Sequence, residues 1–266
     1  MKRGEGMQGV ALKVDGLSKH FVIRKSVFSK KKIIHAVNKI SFDVKQYESL
    51  GIIGESGSGK TTIANMLLRL IDSSEGSIEL FGVDITKLDA DAMRSHRKDI
   101  QIIFQYTHAV LDPKMTIEEL IKEPLAIHKV VNENEYDAEV DRLLTMVGLS
   151  SSERKKFPSQ LSGGQNQRII IARAIATRAK LIICDEPVSA LDVSVQGQIL
   201  NLLVKLKREL GLTYVLITHD LSVVKHMCNR IAVMYQGEIV EIGETGKLLS
   251  NPTNLYTKKL ISSILD

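Results

Sequence analysis

Nine residues, Gly54-Glu55-Ser56-Gly57-Ser58-Gly59-Lys60-Thr61-Thr62, constrain this chain more than any other stretch. They follow a short apolar run, Leu50-Gly51-Ile52-Ile53, and precede Ile63 to Leu70, whose apolar residues recur at helical spacing. Strand, glycine loop and helix in that order make the setting in which a loop cradles phosphate. The glycines let the backbone curl until successive N–H groups converge, and the new helix adds its unsatisfied donors and the positive end of its dipole. Lys60 then supplies a cation to the β- and γ-phosphates, and the Thr61 hydroxyl a ligand for Mg²⁺. A Gly/Ser turn before an ordinary helix has a similar composition, but the flanking strand and helix favour the phosphate reading.

The rest of the composition bounds the partners. A chain of 266 residues with 44% hydrophobic and 25% charged residues can bury a sizeable core. Its longest apolar runs, such as Leu181-Ile182-Ile183-Cys184, have strand length, and Met1 to Gly6 lacks the apolar stretch of a secretory signal. Cys184 and Cys228 offer no metal-ligand spacing and suit a reducing compartment. A net charge of +5 suits an anionic ligand or an anionic membrane face. Aromatics are 5% and Trp is absent, so stacking platforms for single-stranded nucleic acid are poorly supplied and no nucleic-acid partner is expected.

Taken in order, Val10 to Phe21 and Ile40 to Val44 alternate like half-buried strands, with a basic insertion from about Ile23 to His35 between them. Gly76 to Gly82 continues that pattern, which predicts a small, partly antiparallel sheet. Asp99 to Gln105 reads as a buried strand, and Thr116 to Gly148 as helices with acidic first turns. A helix from Gln165 to about Arg178, a strand over 181–185, a helix from about Val195 to Leu210 and a strand over 213–218 follow in β-α-β rhythm. Ile231 to Tyr235 and Glu238 to Glu241 read as a hairpin through Gln236-Gly237. The expected fold is α/β: a P-loop NTPase (RecA-like) core with an N-terminal antiparallel β subdomain and an inserted α-helical subdomain. Residues 1–104 and 165–266 are assigned to the core and 105–164 to the insertion.

Four polar residues close apolar strands. Asp185 is suited to hold Mg²⁺ through its water shell, and Glu186 to polarise an attacking water. Gln105 can contact the metal or the water, and His219 can orient the γ-phosphate and the water. Each alone is an ordinary strand end; their coincidence with the glycine loop carries the reading.

Gly54 to Thr61, Gln105, Leu161-Ser162-Gly163-Gly164-Gln165, Leu181 to Glu186, Ser189-Ala190-Leu191-Asp192 and His219 stand in the order of the motifs of an ABC transporter ATP-binding subunit, which this chain resembles over nearly its whole length. Leu161 to Gln165 is the most discriminating stretch, because ordinary P-loop NTPases lack it. Ser189 to Gln198 and Asn251-Pro252-Thr253-Asn254-Leu255-Tyr256-Thr257-Lys258-Lys259-Leu260 are similar to the oligopeptide, dipeptide and nickel importer branch. Two departures stand out. Tyr106 to Pro113 differs from the branch pattern, and Asn166 takes a place where Gln or Arg is usual.

The resemblance implies an ATPase that binds ATP and Mg²⁺ and energises a membrane importer of peptides or of nickel and other metal chelates. It implies a second ABC ATPase subunit, identical or related, with Ser162, Gly163, Gly164 and Gln165 binding the γ-phosphate held on the partner's loop and Asp192 at the seam. Phe21, with Phe28 in reserve, is expected to stack on adenine. Transmembrane permease subunits would dock on the Gln105 to His128 region, a solute-binding protein would act through them, and the subunit would sit peripherally on the cytoplasmic face of the membrane. The alternative is a soluble ABC-type ATPase acting on nucleic acid or ribosomes; those usually carry two nucleotide domains or a long coiled coil, and this sequence shows neither.

Overall fold

The structure, a computed structural model, describes residues 9–23, 32–104 and 110–265. The chain divides into two compact units, residues 1–93 with 213–266 and residues 94–212.

The first unit holds two sheets. In one, β1 (Val10–Ile23) pairs antiparallel with β2 (Lys32–Lys45) and with β4 (Glu75–Leu80), which pairs with the short β5 (Val83–Asp84). Leu12, Val14 and Leu17 of β1 and Val37, Ile40, Phe42 and Val44 of β2 are buried, the half-buried alternation that the sequence predicts. Strand β2 starts earlier than the expected insertion allows: Ile33 and Ile34 already pair with Val22 and Phe21. Val22 and Ile33 are each 54% exposed, so this end of the ladder is held by cross-strand pairing rather than burial. Periodicity, which reports burial, could not reveal it.

In the other sheet, β3 (Ser49–Ile53) runs parallel to β8 (Thr213–Thr218) and to β9 (Arg230–Tyr235), and β10 (Glu238–Glu244) closes antiparallel on β9. Every residue of β3 and β8 is buried, as strands covered on both faces require. The β9–β10 turn is Gln236-Gly237, with φ 47° and 87°, the positive pair a two-residue hairpin needs. Helices α1 (Lys60–Leu67), α7 (Leu221–Met227), α8 (Thr245–Ser250) and α9 (Leu255–Leu265) belong to this unit, and α2 (Ala90–His96) crosses the junction in sequence. Cys228 caps the end of α7.

The second unit pairs β6 (Ile100–Ile103) in parallel with β7 (Leu181–Asp185) and carries the helices α3 (Ile117–Ile127), α4 (Tyr136–Met146), α5 (Gly163–Ala176) and α6 (Val193–Leu210). Helices α3 and α4 pack on α5. A full capping box starts α3, with Thr116 Oγ1 accepting from the Glu119 N–H and Glu119 returning to the Thr116 N–H. Helix α5 is buried on more than one stripe: Asn166, Gln167, Ile169 to Ala172 and Ala174 to Ala176 are all inaccessible.

Glu118, 8% exposed, takes ion pairs from Lys122, Arg154 (3.1 Å) and Lys155 (3.0 Å). The hydrogen bond from Lys122, with those from Lys155 and Arg154, overcomes burial and holds its carboxyl at about 2, below the ordinary 4.5. A lowered folded-state value means that this stabilisation is complete above the unfolded value and disappears as pH falls toward 2. Glu118→Gln is therefore expected to flatten the acid limb of stability between these values; urea unfolding midpoints that decline as steeply as wild type's would contradict it.

Candidate active site

In the first unit β3 delivers the glycine loop. At two positions the loop lies so close to neighbouring backbone that a side chain cannot be added: a Cβ at Gly54 would stand 2.2 Å from the Met234 carbonyl oxygen, and one at Gly59 2.2 Å from that of Ala36. Gly59 also has φ 107° and caps α1, a conformation that disfavours other residues. Glu55, Ser56, Gly57 and Thr61 are exposed, Thr62 is half-buried, and Ser58 is buried with its hydroxyl lacking a hydrogen-bond partner among the described residues. Lys60 is 8% exposed and donates to the carbonyl oxygens of Gly54 (2.7 Å) and Glu55 (2.8 Å). Its ammonium is thus held against the loop itself.

Strands β3 and β8 end in register, Ile53 opposite Thr218. Gly54 and His219 therefore leave the sheet at one carboxyl edge, the edge where parallel sheets bind ligands. His219 is exposed there. Phe21, on β1, is 40% exposed, and the Lys19 ammonium lies 5.2 Å from its ring centroid, covering one face.

In the second unit β6 and β7 also end in register, Ile103 opposite Cys184. Asp185 is the last residue of β7 and 9% exposed. Glu186 follows with φ 52°, a left-handed backbone that a non-glycine residue adopts at a cost of about 1–3 kcal/mol. The turn is held from α5: Gln167 Nε2 donates to the Pro187 carbonyl at 2.8 Å. Gln105 and Phe28 lie outside the described residues.

Helix α5 begins inside Leu161 to Gln165, two residues earlier than the sequence suggests, because Ser162 caps it. Ser162 Oγ accepts from the Gln165 N–H (3.3 Å) while Gln165 Oε1 accepts from the Ser162 N–H (2.9 Å). Ser162 and Gly163 are exposed. A Cβ at Gly164 would meet Val195 Cγ1 of α6 at 2.6 Å, so glycine is needed there for close packing. Asn166, the unusual residue of the run, is 1% exposed and donates from Nδ2 to the Pro158 carbonyl at 3.0 Å, tying the helix start to the preceding turn. Asp192 is the exposed N-cap of α6 and its side chain makes no capping bond.

A glycine loop with a buried lysine, a strand-end acidic pair and a capped Leu-Ser-Gly-Gly-Gln turn form a set, and comparison with known proteins gives it a family. The family model described as ABC transporter matches residues 37–189. This chain belongs to the ABC transporter family. The glutathione import ATP-binding protein GsiA of Pectobacterium atrosepticum is 44% identical over 254 residues, 95% of this chain and 41% of that protein. Its counterpart in Salmonella typhimurium is 46% identical over the same shares. The chain therefore spans about two-fifths of the length of these curated relatives. Among solved structures, a dimeric post-hydrolysis state of the ATP-binding cassette MJ0796 bound to ADP and Pi is similar at TM-score 0.77 and 30% identity, covering 88% of this chain and 98% of that one. The cbiO1 protein of Clostridium perfringens, part of the ABC transporter complex cbiONQ, gives TM-score 0.79 and 25% identity over 97% and 100%. The fold is that of an ABC ATPase cassette, and the α/β expectation with its antiparallel β subdomain and helical region stands.

Two features of the site were not legible in sequence. Lys60 is satisfied by carbonyls six and five residues back, which only the loop's curl makes reachable. Tyr256, far along the chain, accepts a hydrogen bond from the Glu55 N–H; its motif was visible, its target was not.

Proposed function

We propose that this chain is the ATP-hydrolysing subunit of a membrane importer, working as a pair with a second ABC ATPase subunit. The observation that carries the proposal is the exposed, capped Ser162-Gly163 turn at the start of a helix of fourteen residues. A hydroxyl and first-turn N–H groups are donors suited to a phosphate, and nothing in the cap consumes the serine proton. On this reading Ser162, Gly163, Gly164 and Gln165 take the γ-phosphate of the nucleotide on the partner subunit, and Asp192 lines the seam.

ATP lies on Gly54 to Thr62, its phosphates on the loop N–H groups and the Lys60 ammonium, its adenine on the free face of Phe21. Glu186 accepts the proton of the attacking water, and His219 holds water and γ-phosphate in line, with Gln105 as a further contact. The donor chemistry fits Mg²⁺, a hard cation that keeps several waters and takes one or two carboxylates beside phosphate oxygens: Thr61 offers an exposed hydroxyl and Asp185 a carboxylate, with Gln105 as third candidate. Bound there, the ion would neutralise phosphate charge.

In this assignment residues 1–104 and 165–266 form the nucleotide core, and residues 105–164 form the helical insertion that meets permease subunits, with a solute-binding protein acting through them. Among the described residues no helix is long and apolar enough to cross a membrane; on this reading the chain attaches peripherally, at the cytoplasmic face, to separate permease chains. The relatives' names favour a small peptide over nickel as cargo. Affinity isolation of the tagged chain from its own cells, without detergent and then with it, tests the assignment. Co-isolation of integral permease chains is expected, and recovery with ribosomes or nucleic acid alone would overturn it.

A further inference from the structure

The Gly54–Glu55 peptide is gripped at both ends. Its carbonyl, that of Gly54, accepts from Lys60 Nζ at 2.7 Å, and its N–H, that of Glu55, donates to the Tyr256 hydroxyl at 3.3 Å. The peptide unit is planar and trans, so the two groups point in opposite directions and fixing one fixes the other. The Glu55 carbonyl also accepts from Lys60, at 2.8 Å. Tyr256 thus lies one rigid plane away from the lysine that meets phosphate.

Tyr256 is itself firmly aimed. Its ring lies on that of Tyr235, the last residue of β9, with centroids 4.1 Å apart and planes tilted by 32°. The neighbouring Met234 carbonyl is the backbone against which Gly54 is packed. The Tyr256 N–H donates to Asn254 Oδ1 at 2.8 Å, fixing the first turn of α9. One step further back, Glu241 of β10 accepts from the Thr253 N–H (2.8 Å), the Thr253 hydroxyl (2.7 Å) and the Asn254 N–H (3.1 Å). Burial pushes the Glu241 carboxyl up, but the donors of Thr253 and Asn254 outweigh it and hold it at about 2. The turn is therefore anchored by a carboxylate that remains ionised far below neutrality. Burial raises the Tyr256 phenol, which keeps its proton.

We propose that Tyr256 is a positioning residue for the phosphate loop: its hydroxyl holds the Gly54–Glu55 peptide plane so that the loop N–H groups and Lys60 are set for a triphosphate before one arrives. A C-terminal turn, organised by Glu241, Thr253 and Asn254, thereby sets the nucleotide affinity of a loop some two hundred positions earlier. The inference rests on the nucleotide reading of that loop. Preorganisation lowers the cost of ordering on binding, so losing it weakens the complex without removing any group that touches the phosphates.

The test compares wild type with Tyr256→Phe, which keeps the ring on Tyr235 and removes the hydroxyl. Titration with a non-hydrolysable ATP analogue is expected to show a dissociation constant raised about five-fold, the size of one hydrogen bond. KM for ATP should rise in parallel, with kcat at saturating ATP changed less than two-fold. Glu241→Gln, which slackens the turn but leaves the tyrosine, should move KM in the same direction and supplies the test if Tyr256→Phe folds poorly. Wild type binding the analogue with both variants indistinguishable from it overturns the tether alone. Wild type failing to bind overturns the nucleotide reading and the tether together.

Discussion

Glu186→Gln is expected to lower steady-state ATP hydrolysis by about 10²- to 10³-fold, the contribution of a positioned general base, while the ATP dissociation constant stays within about two-fold of wild type. Gln has the size and shape of Glu but cannot accept the water's proton. The geometry of the turn is set by other groups: Glu186 takes its left-handed φ of 52° at the end of a fully buried strand, and Gln167 fixes the next carbonyl at Pro187. The substitution thus removes chemistry and spares architecture. With hydrolysis stalled, ATP stays in place and the paired subunits should accumulate, readable as a doubled mass in sedimentation after ATP is added. Turnover equal to wild type would remove Glu186 from the role of base and leave the acidic pair as a strand terminus.

Lys60→Ala acts earlier. Lys60 is buried and its ammonium bridges the Gly54 and Glu55 carbonyls. On the proposed reading truncation deletes the cation offered to the β- and γ-phosphates, and it also strips two loop carbonyls of their donor. A charge-assisted contact of this kind contributes about 1.5–3 kcal/mol, so the ATP dissociation constant should rise by about 10- to 100-fold. Hydrolysis at fixed ATP falls at least as far. Equilibrium titration with a fluorescent ATP analogue checks this, and an unaltered dissociation constant would refute the assignment. The two variants separate cleanly, one losing affinity and the other losing only turnover.

The parts of this molecule that were legible in sequence are those in which a residue type answers a local demand. Gly59 must follow a positive φ, Ser162 must cap a helix, and β3, β7 and β8 must be apolar because both their faces are covered. What stayed illegible depends on contacts between distant positions. The first residues of β2 sit at an exposed end of the ladder, where pairing leaves no burial pattern to read. Asn166 looked like a departure, yet it reaches the Pro158 carbonyl from a buried position. Lys19 over the ring of Phe21 involves neighbours on one strand face, but which of them would cover the aromatic was not written in their spacing. Tyr256 stood in a recognisable motif whose physical target, the Glu55 N–H, depends on α9 packing beside β9.

The central claim is that each catalytic pocket is completed by a second subunit. Its most direct measurement is ATP hydrolysis per molecule as the protein concentration is lowered through the dimer dissociation range, with Ser162→Ala mixed with Lys60→Ala as a second axis. The account predicts that specific activity falls toward zero with dilution. It also predicts that the two impaired variants regain activity when mixed, because the intact loop of Ser162→Ala then faces the intact turn of Lys60→Ala in one pocket of each mixed pair. Specific activity independent of concentration, with mixtures giving the simple average of their components, would contradict it.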